Sequence, residues 1–372
     1  MTYRVRFVNY QEQYRRIKPE VDAAIRRILE NGEFILRQDL GGFEERMASL
    51  LQVKHAIGLN SGTDALYLSL LALGIRSGDE VITVAHTFAA TVGAIVHCGA
   101  TPVLVDVCDD FNIDPELAAQ AITSRTKAII PVHLNGRMCD MDKVMALATS
   151  HGLAVVEDAA QALGAAFRGR PAGSFGTTSC FSFYPAKILG APGDGGMVLA
   201  NSDELARKLR GLRDNGRLSR QEPLACYGFN SRLDNLYAAI LAVKLSHLDR
   251  YIARRRTLAR MYHESLGELE WLTLPPAPED NGPYYDVFQN YVIRTRHRDA
   301  LMQHLAQLRI ETLASWTLPL HRQPMLGLSS FSLPNTESIS REVLSLPLYP
   351  ELSDDECCLV VDAIKSFVPQ SR

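Results

Sequence analysis

Cysteine is sparse in this chain: seven among 372 residues, with no CxxC pair and no His/Cys cluster. Neither a disulfide framework nor a structural zinc site is therefore expected. Long apolar runs are missing too, and without 18 consecutive apolar residues no membrane span is predicted. The opening Met-Thr-Tyr-Arg-Val-Arg-Phe has no apolar core of the kind a signal peptide carries. Neither sign of charge dominates: 39 Lys plus Arg stand against 42 Asp plus Glu, a formal net charge of -3. A non-specific nucleic-acid binder would show a large basic excess. The one dense basic run, Arg254-Arg255-Arg256, falls in a helix-like stretch and reads as a solvated face. Walker A and GxGxxG fingerprints are both absent, as are internal repeats and low-complexity segments. These absences leave a cytoplasmic globular protein with no metal, nucleic-acid or membrane partner expected.

What is present is a sheet pattern. Continuous apolar, β-branched runs occur at 80–85, 101–107, 127–132, 153–159, 178–184 and 196–201. Unbroken apolar character fits strands buried on both faces, as in a parallel sheet. Helix-like segments such as 90–99 and 141–152 fill gaps between them and end at a glycine. That alternation predicts an α/β domain with helices on both faces and a ligand site beyond the carboxyl ends of the strands. Amphipathic helices are expected at 18–30 and 42–51, ahead of the sheet. After residue 233 one long helix to about 266 is expected, then a loop over 274–287 and a smaller α+β domain. The length leaves room for two or three domains, divided here as 1–240 and 241–372.

Four segments could carry chemistry. Asn60-Ser61-Gly62-Thr63-Asp64 opens directly into an apolar helix, so free backbone N–H groups at Thr63 and Asp64 form an anion site that Gly62 lets a phosphate approach. Taken alone the signal is weak, because Ser/Thr/Asp helix starts are common and mostly plain caps. Phe88 sits at a strand-to-loop transition and could stack on a ring or belong to the core. Asp158 ends a strand and is followed by Ala159, Ala160 and Gln161. Its carboxylate could bind a metal, act as a base, cap a helix, or pair with a pyridinium nitrogen. Lys187 follows Ser182 in a Gly/Pro-rich loop, either as a surface lysine or as an amine kept neutral in a pocket to attack a carbonyl. Each segment alone decides little. Together they place a phosphate cradle, an aromatic, a carboxylate and a lysine at the carboxyl ends of predicted strands.

With these motifs the chain resembles the DegT/DnrJ/EryC1/StrS family of pyridoxal phosphate (PLP)-dependent sugar aminotransferases. The resemblance rests on SGTDAL at 61–66, GDEVIT at 78–83, TF-x-AT at 87–91, EDAAQALGA at 157–165 and FSFYPAK at 181–187, with GDGG at 193–196, NSRLDNLYAAI at 230–240 and PLH-x-QP at 319–324. It implies the type I aminotransferase fold: a large domain with a mainly parallel seven-stranded sheet flanked by helices, and a smaller α+β C-terminal domain. It further implies that Lys187 joins the cofactor aldehyde and Asp158 pairs with the pyridine nitrogen. Gln161 would contact the phenolate oxygen, and Phe88 and Ala160 would flank the ring. Gly62, Thr63, Asp64 and Ser182 would hold the phosphate. By the same resemblance the protein is a homodimer in which Asn230 reaches the partner's phosphate. Its substrates would be a nucleotide-linked keto sugar and glutamate as amino donor. Tyr184 and His321 are candidates for sugar or diphosphate contacts.

Several positions depart from the family pattern: Arg37-Gln38, Asn135, Pro192, Asp214-Asn215-Gly216 and Leu313-Ala314-Ser315-Trp316. They bear on substrate rather than chemistry. FSFYPAK leans toward members acting at C3 of a 3-keto sugar rather than C4. Lys187 stands where dehydratase relatives have His, which favours transamination. The competing readings are a cyclitol aminotransferase, a regulatory protein on the same fold, and a nicotinamide oxidoreductase, the last disfavoured by the missing glycine fingerprint.

Overall fold

A computed structural model describes residues 3–219, 221 and 223–369. Seven strands form one sheet: β1 (His55–Leu59), β2 (Glu80–Val84), β3 (Thr101–Val105), β4 (Thr126–Ile129), β5 (Ala154–Asp158), β6 (Thr178–Ser182) and β7 (Gly196–Ala200). Their spatial order is β1-β7-β6-β5-β4-β2-β3. β6, β5, β4, β2 and β3 pair in parallel, while β7 runs antiparallel to both β1 and β6. Each of the six apolar runs coincides with a strand; β1 is the seventh. All five residues of β2 and of β7 are buried, as continuous apolar strands covered on both faces require. The direction of β7 cannot be read from that pattern, because burial on both faces looks the same either way.

Helices cover both faces. Gly62–Ala72 and Ala89–His97 bury Leu66, Leu68, Leu70, Ala94 and Ile95 against one side with Val81, Val156 and Val198. Gln38–Leu50 and Met141–His151 bury Phe43, Met47, Met141 and Val144 in the cluster on the other, with Ile82, Val155 and Phe181. A separate core, containing Leu258, Tyr262, Tyr291, Leu305 and Ile364, surrounds a two-stranded antiparallel sheet of Tyr291–Arg294 and Val343–Leu346, and Val5 joins it from the N-terminal arm.

Three expectations change. The first helix spans Tyr10–Asn31 and carries Pro19 inside it. Asn9 caps it by accepting from the Glu12 N–H, and Pro19 is solvent-exposed, so the carbonyl its missing N–H leaves free can turn to water. The long helix after residue 233 is two, Asn235–Leu245 and Leu248–Leu266. Ser246 Oγ donates to the Val243 carbonyl, and the amides of Ser246 and His247 bond three residues back. That tighter turn ends the first helix although the apolar stripe runs on. The Arg254–Arg256 run is not a solvated face: Arg255 and Arg256 are 5% and 4% exposed. Arg256 donates to the carbonyls of Asp286 and Glu279, and Arg255 to those of Phe288, Gln289 and Leu348. A guanidinium can be buried this way because its fork satisfies several acceptors at once.

Asn235 ties the start of the first of the paired helices to the N-terminal segment and the helix Gln38–Leu50. It is fully buried; its Oδ1 accepts from the Leu40 N–H at 2.9 Å and its Nδ2 donates to the Glu33 carbonyl at 2.7 Å. Replacing Asn235 with Ala leaves a buried donor and acceptor unpaired, a cost of about 1–3 kcal/mol. Chemical denaturation should show that loss without a change in slope.

Candidate active site

The loops beyond the carboxyl ends of β1, β2, β5 and β6 enclose a cavity of about 650 Å³. Gly62, Thr63, Phe88, Asp158, Ala160, Gln161, Ser182, Tyr184 and Lys187 all line it. The sheet brings them together because parallel strands end their chains on one edge.

Asp158 is the last residue of β5 and is 6% exposed. Its Oδ2 accepts from the Thr91 hydroxyl at 2.8 Å, and Thr91 is bonded in turn to Thr87 Oγ1 at 2.9 Å. Its Oδ1 accepts from the Ala160 N–H at 3.3 Å. Burial pushes the Asp158 carboxyl above its usual value, while Thr91, Ala160 and the charge of Lys187 pull the other way. Such a carboxylate gains from a cation or a protonated ring nitrogen placed against it.

Lys187 lies in the loop after β6, where its N–H bonds the Tyr184 carbonyl at 2.9 Å. Its side chain is half-buried at the cavity wall. Burial pulls its pKa down to about 8, against the opposing pull of the Asp158 charge. Near neutrality a useful fraction of the amine is then unprotonated, as a nucleophile requires.

The helix Gly62–Ala72 begins at the same edge. Ser61 caps it, its Oγ accepting from the Asp64 N–H at 3.0 Å. That bond already engages the Asp64 amide expected to meet a phosphate, and Asp64 is not among the lining residues. The first turn therefore offers the amides of Gly62 and Thr63 instead. A Cβ on Gly62 would stand 2.8 Å from Ser182 Cβ, so only glycine fits where helix start and Ser182 converge. Phe88 is 63% exposed, which excludes a core aromatic and leaves its face available at the cavity. Gln161 Oε1 accepts from the Asn135 N–H at 2.9 Å, which orients its Nε2 as the remaining donor. An acid for a ring nitrogen, an amine for an aldehyde, a helix start for a phosphate and a free aromatic face together match PLP.

Three further residues singled out in the sequence lie outside this cavity. His321 is fully buried, its Nε2 3.1 Å from Glu337, and it does not line the cavity. Asn230 is exposed, forms an isolated β-bridge with Asp214, and stays outside the cavity of its own chain. Arg37 is likewise exposed at a helix start and does not line the cavity. Trp316, one of the departures from the family pattern, does line it and meets His86 edge-on at 5.5 Å.

Sequence reasoning gave no role to Thr91, Gln289, His133 or Glu157. His133 Nδ1 accepts from the Cys139 N–H, so Nε2 carries the proton that meets Glu157 at 3.0 Å. Burial pushes the Glu157 carboxyl up, but His133 and the amides of Gly176 and Gly173 hold it below the usual carboxylate range. This network anchors β5 directly beside Asp158. An apolar strand ending in Glu-Asp was the available signal, since paired carboxylates in a buried strand need partners.

The model of the DegT/DnrJ/EryC1/StrS aminotransferase family matches residues 15–365. The chain belongs to that family. Among its relatives, a dTDP-3-amino-3,4,6-trideoxy-alpha-D-glucose transaminase of Streptomyces venezuelae is 44% identical, over 98% of this chain and 97% of that one. A Geobacillus stearothermophilus protein named a pleiotropic regulatory protein is 43% identical over 98% of both. The crystal structure of S. venezuelae DesV in complex with a ketimine intermediate superposes with a TM-score of 0.95 at 42% identity, covering 99% of this chain and all of that one. This family member is a PLP-dependent transaminase with the mainly parallel seven-stranded aminotransferase sheet. Among the described residues no helix is long and apolar enough to cross a membrane, and no group of three or more His, Cys, Asp or Glu could hold a metal ion.

The two pKa shifts make a signed prediction. With the cofactor stripped, the rate at which Lys187 captures added PLP should rise with pH through a midpoint near 8, not near the 10.5 of a free lysine. Asp158→Asn removes the charge that holds protons on Lys187, so the midpoint should move lower still. Rapid-mixing absorbance across pH reads both; a midpoint that rises in Asp158→Asn contradicts the electrostatic account.

Proposed function

We propose that this transaminase moves the amino group of glutamate onto a nucleoside-diphosphate-linked keto-deoxysugar, at C3 in preference to C4. The observation that carries the reading is that Lys187 and Asp158 line one cavity in a chain so similar to a 3-amino-sugar transaminase. PLP, when bound, supplies an electron sink that stabilises negative charge on the carbon whose amine is exchanged.

The residues then divide the work. Asp158, held by Thr91 and the Ala160 amide, would keep a proton on the ring nitrogen. Gln161, its Oε1 tied to Asn135, would offer Nε2 to the phenolate oxygen. Ser182 Oγ, which accepts from the Tyr184 N–H at 3.3 Å, keeps its own hydrogen free and would donate it to the phosphate, with the amides of Gly62 and Thr63. Phe88 and Ala160, both at the cavity wall, would flank the ring. Lys187 Nζ would hold the cofactor through its aldehyde carbon and, when free, would be the base that carries the α-proton. Two half-reactions through one lysine give ping-pong kinetics. Tyr184, 53% exposed at the cavity wall, is placed to meet the sugar or its diphosphate.

The working unit is a homodimer with shared sites. Asn230 belongs to a stretch whose apolar side chains face outward: Leu224 is 65% exposed, Tyr227 fully and Phe229 38%. An exposed apolar set of this kind marks an association surface, and Asn230 on it would reach the partner's phosphate. The regulatory reading, suggested by the Geobacillus relative's name, is disfavoured because Lys187, Asp158 and Gln161 are all retained around an open cavity.

Two experiments check this. Incubation with glutamate and 3-keto or 4-keto sugars on dTDP, UDP or GDP should yield amino sugar and 2-oxoglutarate with a 3-keto substrate; turnover of keto-cyclitols alone would overturn the substrate class. Mixing inactive Lys187→Ala and Asn230→Ala proteins should restore activity toward about a quarter of wild type, since half the random dimers then hold one intact shared site. No recovery in verified heterodimers contradicts the shared site.

A further inference from the structure

The loop that carries Lys187 has little regular structure to hold it. It leaves β6 at Ser182, passes Pro185 and reaches Pro192, and the Lys187 N–H finds only the Tyr184 carbonyl. The peptide groups on either side of the lysine are instead met by one side chain from a distant part of the chain. Gln289 Nε2 donates to the Ala186 carbonyl at 2.8 Å, and Gln289 Oε1 accepts from the Ile188 N–H at 2.9 Å. The amide orientation follows from its partners, because a carbonyl can only accept and an N–H can only donate. Gln289 is 7% exposed and lines the cavity.

We propose that Gln289 is the positioning residue of Lys187, a two-bond clamp that fixes the peptide on both sides of the lysine and so aims its amine. The proposal rests on Lys187 being the lysine that joins the cofactor.

The clamp is itself rigidly mounted. The buried Arg255 donates from Nη1 to the carbonyls of Phe288 and Gln289, each at 3.1 Å, and of Leu348 at 2.9 Å. Phe288 holds φ +51°, a left-handed conformation that costs a bulky residue energy and persists only where its surroundings impose it. The Val287 N–H bonds the Gly136 carbonyl at 3.0 Å. Gly136 has φ +91°, and a Cβ there would lie 2.7 Å from the Gln289 backbone nitrogen, so this turn lies directly on the clamp's backbone. The same turn contains Asn135, whose N–H holds Gln161 and whose Oδ1 accepts from Asn290 at 3.2 Å. One short strip, 287–290, thus fixes the lysine's peptide directly and the Gln161 amide through Asn135. Lysine must find the same place again after each displacement, and a misplacement near 1 Å can cost a reaction about a hundredfold.

Gln289→Glu separates positioning from mere support. When its new carboxyl is protonated, both bonds are reproduced, the O–H donating to Ala186 and the carbonyl oxygen accepting from Ile188. The ionised form sets an oxygen against the Ala186 carbonyl and loses one. Wild-type, Gln289→Ala and Gln289→Glu proteins, purified with cofactor, stripped and reloaded with PLP, give two readouts by rapid mixing. Tryptophan fluorescence reports docking, and the visible absorption band reports the bond to Lys187. The expected result is unchanged docking with the bond forming roughly tenfold or more slower in Gln289→Ala. In Gln289→Glu the rate relative to wild type at the same pH recovers as pH falls through the new carboxyl's titration, while circular dichroism stays constant. Wild-type rates in both variants, or a Gln289→Glu protein whose fold rather than rate follows the titration, overturn the proposal. A wild-type protein that forms no band removes the cofactor reading itself, and the clamp with it.

Discussion

The structure turns on a buried acid and a half-buried amine facing one cavity. Burial disfavours charge on each, raising Asp158 and lowering Lys187, while each favours charge on the other. Neither residue would keep its state alone. The parallel sheet makes the pairing possible by ending β5 and β6 at one edge, so that a carboxylate and a lysine distant in sequence share a site. The residues around them hold that balance: Thr91 and the Ala160 amide fix the acid, and Gln289 holds the peptide of the base.

Much of this is legible in the sequence because the governing patterns are local. Continuous apolar runs mark strands covered on both faces, and each of the six runs coincides with one. Ser61-Gly62 marks a helix start, and polar residues placed just after buried strands mark the edge where a ligand lies. Nine of the expected residues line a single cavity.

What the sequence hides is set by tertiary partners. Arg255 and Arg256 look solvated because a basic run usually is; carbonyls of Glu279, Asp286, Phe288, Gln289 and Leu348 bury them, and nothing local announces those acceptors. The helix after 233 looks continuous because its apolar stripe is continuous, yet Ser246 supplies the break, and only the second half goes on from the shared core to the one around Tyr262. His321 sits in a motif that resembles a site segment, but Glu337 holds it inside. Gln289 carries no signal at all: a glutamine in a loop becomes informative only once the peptides flanking Lys187 are seen against it.

The whole arrangement depends on Lys187 being the residue that bonds the cofactor. Borohydride reduction of the PLP-loaded protein, followed by digestion and peptide mass mapping, tests it most directly. A phosphopyridoxyl group fixed on Lys187 alone is the predicted result. Label on another lysine, or a reduced protein that releases all its cofactor on denaturation, would contradict it.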